Sequence, residues 1–157
     1  MNSGLRRQLR VISDEPEQAW LRIAFATDNG EHVNQHFGTT ESLAIYGVQP
    51  DSYTLLEAAQ FDDQTKEQTD DKLAAKLDFL TDCVAVYCRA CGASAVKQLL
   101  DQHVQPLKVV DDTLIKNLIS AFQKELSEGP SSWLARAIQR QHDLNEYRIE
   151  SDGMNDR

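Results

Sequence analysis

A chain of 157 residues, 41% hydrophobic and 26% charged, has the make-up of one ordinary globular domain with a core of its own, which excludes wholesale disorder. Its formal net charge of -9 excludes a broad nucleic-acid face, which needs clustered cations to displace counterions. No apolar run is long enough to span a bilayer and the first residues lack the apolar core of a signal peptide, so a cytoplasmic location is expected, with the three cysteines as reduced thiols.

Residues 1–20 lack a sustained period and carry Asp14-Glu15-Pro16-Glu17. They are expected to be a flexible arm, with a short extended piece at Leu9-Arg10-Val11-Ile12. Arg6, Arg7 and Arg10 read as a solvated basic arm. Leu21-Arg22-Ile23-Ala24-Phe25-Ala26 alternates and then stops at Thr27-Asp28-Asn29-Gly30, which predicts a first strand running into a turn-rich loop. Ser42 to Val48 is the second strand and Tyr53 to Phe61 the third. The turn Gln49-Pro50-Asp51-Ser52 makes these two an antiparallel hairpin.

The acidic stretch 62–71 is a surface connection whose carboxylates lack the spacing of a calcium loop. Asp70 is expected to cap a helix with Leu73, Leu77 and Leu80 on its inner face. Cys83 to Tyr87 is an apolar run with no solvated face, the mark of a central fourth strand. Ala93 to Gln102 is a helix with Val96, Leu99 and Leu100 inward, and Pro106 to Val110 a short fifth strand. Asp112 is expected to cap an amphipathic helix with Ile115, Leu118, Ile119, Phe122 and Leu126 on one face. Gly129-Pro130 ends it, and Ser131 or Ser132 starts a last helix through Trp133, Leu134, Ala137 and Ile138. Residues 143–157 are a polar tail.

This order predicts a single α/β domain over residues 21–142: a mixed five-stranded sheet with flanking helices. If strands one and four lie side by side and parallel, the loop 27–38 and the turn 88–92 leave the sheet at one edge, where open α/β sheets hold ligands. His36, Cys88 and Cys91 then face one cavity.

Cys88-x-x-Cys91 has several readings. It is a redox dithiol, a partial cofactor site, a purely structural pair, or less readily a zinc site, since no second pair follows at finger spacing. The helix start at Ala93 and the cation of Arg89 are expected to lower both thiol pKa values and to favour an anion. Cys83 reads as a core residue, and an isolated loop histidine such as His36 as a surface residue in most settings. His32 shares that loop and is the weaker candidate. His103 is expected to cap the helix before it, and His142 to be solvated. Among nucleophile-bearing motifs, neither a phosphate loop nor Gly-x-Ser-x-Gly is present.

Three stretches, Ala24-Phe25-Ala26-Thr27-Asp28, Val33-Asn34-Gln35-His36-Phe37-Gly38 and Ala44-Ile45-Tyr46-Gly47-Val48, resemble the dinitrogenase iron–molybdenum cofactor-binding family. So do Asp71 to Lys76, Ala85 to Val96, Val104 to Val109 and Glu128 to Ala135, so the likeness runs from about Leu21 to about Arg140. The resemblance implies a ribonuclease-H-like fold and a small non-catalytic carrier. Its cargo would be NifB-co, the iron–sulfur core made by NifB, or a later precursor of the iron–molybdenum cofactor, exchanged with the NifEN scaffold. It implies His36 as the cofactor-binding histidine. Cys88 and Cys91 as further metal ligands, with Arg89 and His32 close by, are inferred from their place in the same segments. One departure from the family pattern is His103, where glycine often precedes Val-Gln-Pro; a helix end there is expected to need a positive φ.

Overall fold

A computed structural model describes residues 5–10, 20–61, 69–110 and 112–155 of the chain. The strands are β1 (Leu5–Arg10), β2 (Leu21–Ala26), β3 (His32–Val33), β4 (Ser42–Gln49), β5 (Ser52–Phe61), β6 (Ala85–Cys88), β7 (Gln105–Lys108) and β8 (Thr113–Leu114). The helices are α1 (Thr69–Phe79), α2 (Ala93–Asp101), α3 (Ile115–Glu128) and α4 (Ser132–Asn155). Six strands form one sheet in the order β1-β5-β4-β2-β6-β7. β2, β6 and β7 run parallel, whereas β4 pairs antiparallel with both β2 and β5. Leaving out β1, this is the ribonuclease-H-like arrangement.

The alternation along the strands divides the core between the two faces. Ala24, Ala26, Val86 and Cys88 point to the side covered by Leu77, Leu80, Ala95 and Leu99 of the α1 and α2 region. Ile23, Phe25 and Ala85 point to the other side, against Ile115, Ile119 and Phe122 of α3 and Leu134 and Ala137 of α4. Phe25 and Tyr87, opposite each other in the parallel ladder, stack with ring centroids 5.3 Å apart. Fully burying such a ring stabilises by roughly 1.5–3 kcal/mol. Between β4 and β5 the Pro50-Asp51 turn is pinned from outside: Gln123 Nε2 of α3 donates to the carbonyls of Gln49 and Ser52. Gly47 is required on β4, because a Cβ there would lie 2.9 Å from Trp20 and 2.8 Å from Leu56.

The structure corrects several expectations. The sheet has six strands rather than five, since Leu5–Arg10, within the expected arm, pairs antiparallel with β5. An edge strand is held mainly by its backbone ladder, so it needs little of the apolar alternation that marks inner strands. Val11 and Ile12 of the expected extended piece, and the connection 62–68, lie outside the described residues. A second, two-stranded ribbon of β3 and β8 was not foreseen. Asp70 lies within α1 rather than before it, and the residue preceding α3 is Leu114 instead of Asp112. Leu100 is exposed. The last helix continues through the expected polar tail to Asn155. His103 does take a positive φ, 65°, just past the end of α2.

Candidate functional site

β2 and β6 are neighbours and parallel, so the segments that follow them emerge at the same edge. The loop after β2 is built by its own side chains. Thr27 Oγ1 accepts from the backbone amides of Asn29 and Gly30, and Asn29 Oδ1 accepts from those of Glu31 and His32. Gly30 sits at φ 76°, a conformation that favours glycine. Asn34 then turns the chain back: its amide donates to the Ala26 carbonyl, and its side chain both accepts from and donates to Asp28. His32 and Val33 pair with Leu114 and Thr113, and the Ile115 amide donates to Glu31 O at 2.8 Å.

The loop next meets the turn after β6. The Arg89 amide donates to Gln35 O at 2.9 Å and the Phe37 amide to Ala90 O at 2.8 Å, making a parallel bridge between His36 and Ala90. The backbone of His36 therefore lies beside the centre of Cys88-Arg89-Ala90-Cys91. Phe37 is fully buried in the α1–α2 side of the core, whereas His36 is exposed. His36 stands outward on a strand-like splice whose next residue is its anchor. The loop is pinned to β2, to the turn after β6, to β8 and to α1.

The two thiols differ. Cys88 is fully buried at the end of β6 and Cys91 is half-buried just before the N-cap residue Gly92 of α2. The Cys91 sulfur takes a hydrogen bond from the Cys88 thiol, which lowers the Cys91 pKa, and the charge of Lys108 helps. The same bond, with burial, pushes Cys88 well above the ordinary thiol range. The expectation that both would fall is thus met by Cys91 alone. Buried Cys83 is pushed up to about 12 by burial and is inert. Arg89 is engaged with Asp112, with 2.5 Å between guanidinium and carboxylate, so the cation nearest in effect to the thiols is Lys108, opposite Cys88 in the β6–β7 register. His32 is on the ribbon, its Nδ1 3.5 Å from Asn29 Nδ2. Among the described residues no set of three or more His, Cys, Asp or Glu side chains is gathered to hold a metal ion.

The periodicity of α1 conceals one further residue. Lys76 is buried, and its Nζ donates to the carbonyls of Phe37 and Gly38 at 3.2 and 3.0 Å. Its place between Leu73, Leu77 and Leu80 on the inner helical face was the signal available in the sequence. Burial, with the nearby charge of Lys72, lowers its pKa to about 8. A lysine whose folded pKa is depressed adds stability above its unfolded pKa of 10.5 and loses it as pH falls through about 8. The stability of the parent relative to Lys76→Met is therefore expected to rise between pH 8 and 10.5, by at most about 3 kcal/mol. Urea titrations of both proteins across that window check it; a flat difference would place the ammonium in water.

These features define a class: a ribonuclease-H-like α/β domain that splices an exposed histidine of one loop to a Cys-x-x-Cys turn, backbone to backbone, at the carboxyl edge of its parallel strands. The family described as dinitrogenase iron-molybdenum cofactor matches residues 19–125, and the chain belongs to it. It is 52% identical over 138 residues to Protein NifX of Azotobacter vinelandii, covering 88% of this chain and 87% of that protein. It is also 37% identical over 121 residues to Protein NifX of Klebsiella pneumoniae, covering 76% and 74%. The crystal structure of PH0822 superposes with a TM-score of 0.52 at 18% identity, over 66% of this chain and 89% of that one, a likeness of fold alone. Among the described residues no helix is long and apolar enough to cross a membrane.

Proposed function

We propose that this protein is a non-catalytic carrier in iron–molybdenum cofactor biosynthesis. It takes up an iron–sulfur precursor, NifB-co from NifB or a later form, and passes it to the NifEN scaffold. Residues 21–142 form the cargo-binding domain. The observation that supports the reading is the backbone bridge between His36 and Ala90, which joins the loop of the exposed His36 to the turn Cys88-x-x-Cys91. His36 supplies a nitrogen ligand to one metal of the cargo. The Cys91 thiolate is the second ligand, and Cys88 serves as its hydrogen-bond donor. Arg89 and Lys108 contribute positive charge, and His32 steadies the loop on which His36 stands. Few protein ligands suit a cluster that arrives assembled, with its own bridging sulfides, and that must leave again; a bare ion would need a fuller set.

The cargo and the partners are tested together by anaerobic mixing with purified NifB-co, gel filtration and iron analysis of the protein peak. Iron is expected to travel with the chain and to move to NifEN when that scaffold is added. Clean separation of iron from protein, under conditions where an established carrier retains it, rules the proposal out. The thiol–disulfide oxidoreductase reading of Cys88-x-x-Cys91 draws on the same thiol contact, yet full burial of Cys88 leaves only Cys91 open to a substrate disulfide. A reversible Cys88–Cys91 disulfide at a cytosolic potential, with turnover of a protein disulfide and no iron retained, would favour it instead.

A further inference from the structure

We propose that Lys76 is the positioning residue for His36, acting through the two peptide carbonyls that follow it. The proposal rests on the carrier reading above for its purpose, and on geometry for its substance. A leucine at this point of α1 would extend the apolar face of Leu73, Leu77 and Leu80 without burying a charge. An ammonium here is costly to desolvate unless its hydrogens are used. They are used on the loop: Nζ donates to Phe37 O and Gly38 O, residues 39 and 38 positions away in sequence. The cation also stands 5.9 Å from the centre of the Phe61 ring. One donor group bonded to two consecutive carbonyls requires both to face α1, which fixes the 37–38 and 38–39 peptide planes, the second and third after His36.

Other contacts do not do this. The bridge to Ala90 holds the amide of Phe37, and the Thr40 amide holds the carbonyl of His36 at 2.9 Å. A Cβ at Gly38 would meet open space, so crowding at the glycine does not set the turn either. The ammonium thus completes the frame in which the His36 side chain has one base to stand on. Outer groups that orient a metal ligand change metal affinity by roughly 10–100-fold when removed.

The test needs no cargo at first. Amide hydrogen exchange is measured at Phe37 and Thr40, together with the imidazole NMR signals of His36, in the parent and in Lys76→Met. Exchange at these two amides is expected to speed up by at least about tenfold while the amides of β2 and β4 stay protected, and the imidazole signals are expected to broaden or shift. Lys76→Gln, which keeps a donor on a shorter stem, should restore part of the protection; it also serves if the methionine variant fails to fold. Unchanged exchange at Phe37 and Thr40 in a folded variant overturns the proposal. Iron retention is then compared. Lys76→Met should weaken it by about tenfold in the parent and leave it unchanged in a His36→Ala background, because the two act through one ligand. Equal loss in both backgrounds overturns positioning. If the parent itself retains no iron, the carrier reading fails while the exchange result still decides the role of Lys76.

Discussion

Replacing His36 by alanine is expected to reduce retention of the iron–sulfur cargo by more than ~100-fold, beyond what loss of an outer supporting group costs. Stability should change by no more than about 0.5 kcal/mol. The first expectation follows from its place: the side chain is exposed at the edge where β2 and β6 deliver their loops, on a backbone bridged to the turn that carries Cys88 and Cys91. The second follows because the fold uses only the backbone of His36. The bonds that seat it run from Phe37 N to Ala90 O, from Arg89 N to Gln35 O and from Thr40 N to His36 O, and alanine keeps all three. Iron analysis after gel filtration and a urea unfolding curve supply the two readings. Undiminished iron in His36→Ala would remove the imidazole from the ligand set and leave Cys91 as the sole candidate.

The neighbouring substitution should behave in the opposite way. Phe37→Ala is expected to lower stability by about 3–5 kcal/mol, the usual cost of deleting a fully buried phenyl ring. For a domain of this size that corresponds to a fall in melting midpoint of roughly 10 °C. Phe37 has no exposed surface and lies in the same core cluster as Ala26, Leu43, Leu77, Cys88 and Ala95. Removing it opens a cavity between the loop, the sheet and the α1–α2 layer, so loss of cargo should accompany loss of stability. Thermal melting followed by far-UV circular dichroism checks the prediction. A drop of under about 1 kcal/mol would mean that the loop is not anchored through this ring. On the carrier reading proposed above, two adjacent residues divide the labour, His36 facing solvent for the cargo and Phe37 facing inward for the fold.

Much of this was legible in the chain. The alternation Leu21 to Ala26 and the apolar run ending at Cys88 announce the central strands, and the placing of loops at the carboxyl edge follows once they are neighbours. The convergence of 27–38 with 88–92 is what the His36–Ala90 bridge records. What escaped has physical reasons. Leu5-Arg6-Arg7-Gln8-Leu9-Arg10 carries two apolar residues, and its pairing depends on backbone groups that every sequence possesses. The β3–β8 ribbon is two residues long on each side, too short to leave a period. Asp112 looked like a helix cap because acids often are; in the fold it is the partner of Arg89. Lys76 falls on the inner face of α1, but its partners are set only when the loop that uses it is in place. Lys108 comes to act on the thiols only through the register of β7 against β6, which no local pattern encodes.

The splice between the two loops is made of peptide groups, and this bears on how the chain can drift or be redesigned. Side chains at Gln35, Arg89 and Ala90 are free to vary without withdrawing the amides and carbonyls that seat His36. Proline alone lacks the donor, so Arg89→Pro or Phe37→Pro removes a rung that no other change at those positions can touch. A library randomised at 35, 89 and 90 would accordingly tolerate most residues and reject that one at 89, offering a way to retune the surroundings of the imidazole for a different cluster while its footing stays put.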